Sequence, residues 1–206
     1  RAFEAWENGQ HLVLHGFPGT GKTFVALYLA YKDMLESGYY NRVILVRSAV
    51  PTRDMGFLKG GLQEKGAIYE VPYSNLHGEL FGRSDAYNIL KQKKQSEFMM
   101  SSYVRGITLD NAIIVVDECQ NMSEIELHSI ITRVGENSRL ILCGDLGQDD
   151  LTSERYNTET GFGTIMKILT SVPDVKFIDF GFDDILRSDF VKDYIVAKIE
   201  HEKEAA

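Results

Sequence analysis

The architecture of this chain follows from one short sequence, Gly16-Phe17-Pro18-Gly19-Thr20-Gly21-Lys22-Thr23. It fits the phosphate-cradle (Walker A) pattern G-x-x-x-x-G-K-[ST]. An apolar run at residues 11–15 precedes it and is typical of a short buried strand, and residues 24–36 follow it with the spacing of a helix. A strand, a glycine loop and a helix in that order form the arrangement that a phosphate cradle requires.

The chemistry of such a loop explains why these residue types are needed. Successive backbone N–H groups form an anion-binding nest, and the helix that begins near Gly21 adds the positive end of its dipole. Lys22 is expected to reach the β- and γ-phosphates of ATP, and the Thr23 hydroxyl is expected to ligate Mg²⁺. The alternative is a glycine-rich turn ahead of an ordinary helix, and this sequence alone leaves that alternative open.

Composition limits the classes of function. The chain has 206 residues, of which 44% are hydrophobic, with a formal net charge of −8 and a pI of about 5.2. This charge argues against a generally basic nucleic-acid-binding surface but leaves a local basic groove open. No uninterrupted apolar run reaches the roughly 18 residues of a membrane span, so no membrane partner is predicted.

The chain begins with Arg1 rather than Met, and we therefore expect its N-terminus to be truncated. Cys119 and Cys143 both lie in or beside apolar runs that are typical of core strands. Buried free thiols are the prediction for both cysteines, and this suits a reducing cytoplasm.

Continuous apolar runs alternate with segments of helical spacing. Such runs are typical of parallel strands buried on both faces, and strands are predicted at residues 12–14, 43–46, 113–116, 140–143 and, with a more mixed composition, 175–180. Helices are predicted at residues 24–36, 123–134, 161–171 and 189–202. The alternation predicts an α/β fold of three layers with a predominantly parallel sheet, formed as one P-loop domain over residues 1–206.

Residues 51–110 interrupt this alternation and are interpreted as a family-specific insertion. The segment is rich in Gly, Tyr and polar residues, lacks a clear strand and carries short helical pieces such as residues 87–95. Basic residues interleaved with aromatic residues are typical of a site that binds single-stranded nucleic acid. The alternative is a solvated helix face followed by a packed aromatic edge. The residues concerned are Lys91, Lys93, Lys94 and Arg105, among Tyr87, Phe98 and Tyr103.

An acidic pair supplies what a triphosphate-cleaving site needs besides the cradle. Four apolar residues at 113–116 end in Asp117 and Glu118, so the tip of this strand is expected to enter the site. Asp117 is expected to hold Mg²⁺ through water, and Glu118 is expected to polarise the attacking water as a general base. The alternative is a pair of charges at the N-terminus of the following helix.

The next strand, at residues 140–143, runs into Gly144-Asp145-Leu146-Gly147-Gln148. Gln148 is the predicted sensor of the γ-phosphate or the lytic water, and Asp145 is either a second polar anchor or a turn residue. Phosphoryl transfer also gains from a cation on the developing charge, which acts within its own chain or in a neighbouring one. The candidates, each of which would serve equally in a surface ion pair, are Arg47, Arg105, Arg133 and Arg187.

Several motifs in one order resemble the PhoH-like ATPase family, from about residue 10 to residue 202. In the segments at residues 47–50 and 56–60, Ser48 and Lys59 replace prolines of the family pattern. Besides the cradle, the resemblance is carried by Arg47-Ser48-Ala49-Val50 with Gly56-Phe57-Leu58-Lys59-Gly60, by Tyr103-Val104-Arg105-Gly106-Ile107-Thr108-Leu109, by Asp117-Glu118-Cys119-Gln120-Asn121, by residues 144–151 and by Asp184-Ile185-Leu186-Arg187-Ser188.

The resemblance implies a RecA-like core, similar to that of superfamily 1 helicases, which binds ATP and Mg²⁺, hydrolyses ATP and acts on RNA. It also implies assembly into homo-oligomeric rings, described as hexamers, and it raises Arg105 and Arg187 as catalytic cations. Compact members are common in bacteriophages, so a cytoplasmic location is expected, in the host if the chain is phage-encoded. The competing hypotheses are a nucleotide-gated switch with slow hydrolysis and a small-molecule phosphotransferase, which Glu118 disfavours.

Overall fold

The apolar runs of the sequence form a six-stranded sheet with the strand order β3-β2-β4-β5-β1-β6. The computed structural model describes residues 1–48, 62–145 and 161–204. All pairs of neighbouring strands are parallel. The strands are β1 (His11–Gly16), β2 (Arg42–Arg47), β3 (Ser96–Met100), β4 (Ala112–Asp117), β5 (Arg139–Asp145) and β6 (Val175–Phe180).

Helices cover both faces of this sheet. The helices of the described residues are α1 (Ala2–Glu7), α2 (Lys22–Ser37), α3 (Leu62–Phe81), α4 (Ala86–Gln92), α5 (Glu124–Ile131), α6 (Gly161–Leu169) and α7 (Asp189–Glu204). Successive residues of β1 point to opposite faces: Leu12 and Leu14 belong to the core formed with α1 to α4, and Val13 belongs to the core formed with α5 and α6. The predicted three-layer α/β architecture is therefore confirmed.

The prediction that residues 51–110 lack a strand is wrong at β3. This strand lies at the sheet edge beside β2, where Phe98 is opposite Leu45. Most of its residues are only partly buried, because an edge strand has a neighbour on one side alone and needs no continuous apolar run. The same segment contains α3, whose pattern is interrupted by Pro72; proline lacks the N–H that a helix interior uses.

Glu126 joins three elements at the carboxyl edge of the sheet. It completes a capping box with Ser123 at the start of α5, and its Oε1 accepts hydrogen bonds from the hydroxyls of Ser48 and Ser101. Burial raises the pKa of Glu126, but the hydrogen bonds from Ser101, Ser123 and Ser48 outweigh burial and leave the pKa below its usual value. The ends of β2 and β3 are thereby tied to α5.

Helix α1 is fastened at the opposite, amino edge of the sheet. The guanidinium carbon of Arg139, the first residue of β5, lies 3.2 Å from the ring centre of Trp6. Arg139 Nη2 also donates to the Trp6 carbonyl at 2.7 Å, and Trp6 Nε1 donates to Asp33 of α2 at 2.9 Å. A cation–π contact and two hydrogen bonds therefore connect α1 to β5 and α2.

Both cysteines are free and buried, as predicted. Burial raises the pKa of the Cys119 thiol and of the Cys143 thiol well above the usual value. In the described ranges, no helix combines the length and the apolar character that a membrane crossing requires.

Candidate functional site

The carboxyl ends of β1, β4 and β5 lie side by side, because β5 is hydrogen-bonded to both of the other strands. The cradle loop follows β1, and the acidic pair ends β4. Ligands of open α/β sheets bind outside the carboxyl ends of the strands. The two motifs that the sequence singles out are therefore brought to one edge of the sheet.

The loop between β1 and α2 begins with a backbone geometry that requires glycine. Gly16 has a φ of +126°, and a Cβ atom at this position would overlap the backbone of Phe180 in β6. The N–H of Phe17 donates to the same Phe180 carbonyl at 3.1 Å. Gly19 and Gly21 also have positive φ values, +73° and +79°, which glycine adopts without strain.

Lys22 is buried, and its ammonium is held by partners within the site. Nζ lies 2.7 Å from Asp145 Oδ1 and also donates to the Phe17 carbonyl and to Thr20 Oγ1. Only 6% of Lys22 is exposed, so this ammonium lies inside the loop rather than in solvent. A buried cation surrounded by oxygen atoms, beside a loop rich in backbone N–H groups, fits the binding of a phosphate group.

Asp117 accepts hydrogen bonds from two hydroxyl groups. Thr23 donates to Oδ1 and Tyr73 of α3 donates to Oδ2, each at 2.8 Å. Over the described residues, no group of three or more His, Cys, Asp or Glu side chains could hold a metal ion. Mg²⁺ does not require such a group, since it usually keeps several waters and binds one or two carboxylates together with substrate phosphates. Thr23 and Asp117 fit Mg²⁺ in that sense.

Glu118 follows β4 in a left-handed backbone conformation, with φ 56° and ψ 44°. Such conformations of residues other than glycine are strained and cluster at functional sites. Burial, followed by the negative charge of Asp117, raises the pKa of the Glu118 carboxyl above its usual value. The Nε2 of Gln120 donates to Glu118 Oε2 at 2.7 Å, and its Oε1 accepts from the N–H of Asp145 at 2.9 Å. Gln120 therefore orients Glu118 relative to the end of β5.

These side chains line one cavity of about 450 Å³. Its walls come from the cradle loop, from the ends of β2, β4 and β5 and from α3. The charged residues that line it are Lys22, Arg47, Glu79, Asp117, Glu118, Asp145 and Arg187. The cavity thus brings together the predicted cradle, the predicted metal-binding carboxylate and the predicted base.

Of the four candidate arginines, Arg47 and Arg187 line the cavity, whereas Arg105 and Arg133 are not among the described residues that line it. Arg187 lies against the cradle: its Cγ and Nε are 3.0 and 3.1 Å from the position that a Cβ would occupy on Gly19. The N–H of Leu186 donates to the Gly19 carbonyl at 3.0 Å, so the backbone also follows the loop. Arg105 is exposed and is not among the described residues that line the cavity. Gln148 lies outside the described residues.

Sequence reasoning missed Tyr73 and gave no role to Gln120. Gln120 was visible only as a letter of the Asp-Glu-Cys-Gln-Asn motif. Tyr73 lies in the segment interpreted as an insertion, where its contact with Asp117 joins residues that are 44 positions apart. No local pattern predicts a contact of that range.

Two of the basic and aromatic residues of the insertion, Tyr87 and Lys91, contact each other and Glu70 instead of presenting an exposed ring on which a base could stack. Tyr87 is buried and donates to Glu70, and Lys91 also pairs with Glu70, with its Nζ 5.4 Å from the Tyr87 ring centre. Lys93 and Lys94 are exposed. The alternative of a solvated helix face with packed aromatics therefore describes Tyr87 and Lys91.

The chain is similar to proteins of one known family. The family described as "PhoH-like protein" matches residues 1–199. A PhoH-like protein of Bacillus subtilis is 33% identical over 184 residues, which are 88% of this chain and 56% of that relative. A PhoH-like protein of Synechocystis is 34% identical over 185 residues (88% and 54%), and Protein PhoH of Escherichia coli is 29% identical over 187 residues (90% and 52%). The chain spans about half the length of these relatives.

Proposed function

Because this chain belongs to the PhoH-like protein family, we propose that it is a Mg²⁺-dependent ATPase that couples hydrolysis to the binding or remodelling of RNA or single-stranded nucleic acid. The observation that carries the ATPase part is the common cavity that Lys22, Thr23, Asp117 and Glu118 line. These four residues have the side chains that a phosphoryl transfer to water needs: a phosphate-binding cation, two metal ligands and a base.

In this proposal the cradle binds the triphosphate first. The ammonium of Lys22 exchanges its contact with Asp145 Oδ1 for phosphate oxygens, and the backbone N–H groups of residues 19–23 surround the β-phosphate. Thr23 and Asp117 would hold Mg²⁺, which, when bound, neutralises charge on the phosphate oxygens. Asp145 is then released from Lys22 but remains attached to Gln120 through its backbone N–H.

Glu118 then acts on water. Its carboxylate accepts a proton from the water whose oxygen attacks the γ-phosphorus, while the bond between that phosphorus and the β–γ bridging oxygen breaks. The products are ADP and inorganic phosphate. The raised pKa of Glu118 makes its carboxylate a stronger proton acceptor than an ordinary glutamate.

Arg187 is the cation that we assign to the developing charge. It lines the cavity from within the same chain and lies beside Gly19, so it acts in cis. Gln148 remains the proposed sensor of the γ-phosphate or the lytic water. The side chain of Arg105 is exposed, and Arg105 is proposed to contact nucleic acid.

The proposed partners are nucleic acid and further copies of the chain. The sheet holds a single cradle, and a neighbour in a ring would supply a second wall for the nucleotide. Exposed residues away from the cavity, Lys93, Lys94, Tyr103 and Arg105, are the candidates for nucleic-acid contact. Because the net charge is −8, nucleic-acid binding requires these cations to be concentrated locally.

The test is steady-state ATP hydrolysis with Mg²⁺, with and without single-stranded RNA, on a sample whose mass in solution is measured in parallel. The proposal expects turnover that rises with RNA in an oligomeric fraction and that is abolished by Lys22→Ala. The double variant Lys93→Ala, Lys94→Asn should weaken RNA binding and its salt dependence. Asparagine is chosen at position 94 because it tolerates the positive φ of Lys94. Turnover indifferent to RNA contradicts the coupling, and ATP that is bound but never cleaved contradicts the ATPase.

One observation favours a second function, a nucleotide-gated switch with slow hydrolysis. Lys22 is paired with Asp145, so ATP must displace a contact that joins the start of α2 to the end of β5. A switch of this kind would show tight ATP binding, slow cleavage and a partner that distinguishes the ATP-bound from the ADP-bound protein. A small-molecule phosphotransferase remains disfavoured, because a base placed to activate water would waste ATP.

A further inference from the structure

Tyr73 contacts the carboxylate that the proposed function assigns to Mg²⁺, although it comes from a helix outside both sequence motifs. Its hydroxyl donates to Asp117 Oδ2 at 2.8 Å. Only 1% of Tyr73 and 7% of Asp117 are exposed, so bulk water does not replace this hydrogen bond. We propose that Tyr73 is a positioning residue that fixes the Asp117 carboxylate for metal binding, an inference that rests on the proposed function.

The two oxygens of Asp117 have separate partners. Thr23, the first residue after Lys22 in α2, donates to Oδ1, while Tyr73 donates to Oδ2. The Oδ1 edge is thus the one shared with the second metal-binding group. With Oδ2 held by Tyr73, rotation of the carboxylate about its terminal bond would break both hydrogen bonds.

The environment of Tyr73 fixes the position of its hydroxyl. Its ring packs against Phe98 of β3, with ring centres 5.8 Å apart. Its carbonyl accepts a hydrogen bond from His77 Nδ1 at 2.6 Å, one turn further along α3. The hydroxyl of Tyr31 lies 2.7 Å from His77 Nε2 and 2.7 Å from Ser96 Oγ. This buried chain of contacts connects Asp117 with α2, α3 and β3.

A fixed carboxylate matters more for Mg²⁺ than for the nucleotide itself. Mg²⁺ demands near-ideal octahedral geometry, and groups that orient a ligating side chain typically change metal affinity by about 10- to 100-fold. In the proposed function the phosphates are bound by the cradle and Lys22, whereas the Tyr73 hydroxyl donates to Asp117. Loss of the Tyr73 hydroxyl should therefore weaken the Mg²⁺-dependent part of nucleotide binding and leave the Mg²⁺-independent part unchanged.

The experiment compares the wild-type protein with Tyr73→Phe, which keeps the ring and removes the hydroxyl. Binding of a fluorescent, non-hydrolysable ATP analogue is titrated over a series of Mg²⁺ concentrations and in EDTA. We expect Tyr73→Phe to need at least about 10-fold more Mg²⁺ for half-maximal binding, with the affinity in EDTA equal to that of the wild type.

Tyr87→Phe is the matched control, since it also removes a hydroxyl from a buried tyrosine, one that bonds Glu70 rather than Asp117. Its Mg²⁺ requirement should equal that of the wild type. An equal or lower Mg²⁺ requirement in Tyr73→Phe overturns the positioning role, and so does an equal increase in both variants. If the wild-type protein does not bind the analogue at any Mg²⁺ concentration tested, the proposed function is contradicted, and the positioning role of Tyr73 is contradicted with it.

Discussion

The side chains of Lys22 and Asp145 form an ion pair inside the candidate site, with Nζ 2.7 Å from Oδ1 and exposed side-chain fractions of 7% and 15%. The pair joins the start of α2 to the end of β5. Breaking a buried pair by removing one partner leaves an uncompensated charge and is strongly destabilising. A phosphate group bound in the cradle would supply the missing negative charge.

Asp145→Asn should therefore lower the midpoint of thermal unfolding of the nucleotide-free protein and enlarge the rise in midpoint that ATP produces. The backbone N–H that Asp145 donates to Gln120 is unaffected by this change. Thermal unfolding of the wild type and the variant, each with and without nucleotide, measures both effects. An equal rise in the two proteins would mean that Asp145 does not compete with phosphate for Lys22.

Gly16→Ala should disrupt the cradle, whereas Gly163→Ala should not. At Gly16 a methyl group meets the backbone of Phe180 at a φ of +126°, so β1 and β6 would have to separate. Gly163 lies in α6, where no atom of the described residues comes near the added methyl group, and alanine there should stabilise the protein by about 0.5–1 kcal/mol. Denaturant unfolding and nucleotide binding distinguish the two variants; similar effects in both would contradict the packing argument.

Glu118→Gln should lower ATP hydrolysis by at least about 100-fold, the scale of general base catalysis, while ATP binding is retained. Glutamine keeps an oxygen that accepts from Gln120 Nε2 but cannot take the proton of the attacking water. Single-turnover hydrolysis and equilibrium binding measure the two quantities. Loss of binding would indicate that Glu118 has a structural role instead.

The same variant should change the pH dependence of stability. Because burial and Asp117 raise the pKa of Glu118 in the folded protein, the folded state binds this proton more tightly than the unfolded state does. Above the folded pKa, the charged Glu118 carboxylate lowers the free energy of unfolding. This loss becomes smaller as the pH falls through the folded pKa. Glu118→Gln should unfold at a higher temperature than the wild type near about pH 8, and the difference should shrink towards about pH 5.

Arg187→Ala should lower hydrolysis by about 1,000-fold, the smaller end of the range for an arginine that stabilises the transition state. Arg105→Ala should leave basal turnover unchanged, since its side chain is exposed and away from the cavity. Mixing the Arg187→Ala protein with a Lys22→Ala protein tests the cis assignment. Activity restored by mixing would show that Arg187 reaches into a neighbour's site.

The sequence was sufficient for the parts of the site that are local in the chain. The cradle is continuous from Gly16 to Thr23, and the apolar run before Asp117 predicts a buried strand, because both patterns reflect backbone geometry over a few residues. The alternation of strands and helices likewise predicted the three layers. Cys119 and Cys143 were predictable as buried thiols for the same reason.

What the sequence did not predict depends on contacts between distant segments. Strand β3 is defined by its pairing with β2 rather than by its own short, mixed sequence. Tyr73 acquires a role only when α3 folds over the cavity, and Pro72 beside it masks the helical pattern. Arg187 could be singled out by its motif, but its position beside Gly19 follows from the path of the chain after β6.

The attachment of α1 has a spectroscopic consequence. Trp6 is the only tryptophan in the chain, and its ring is covered by Arg139 at the amino edge of the sheet. The cavity lies at the other edge, about 20 Å away for strands of this length. Intrinsic tryptophan emission should therefore report whether α1 remains docked and should not change when nucleotide binds. Unfolding can then be followed by tryptophan emission, and binding by the emission of a fluorescent nucleotide analogue, in the same sample.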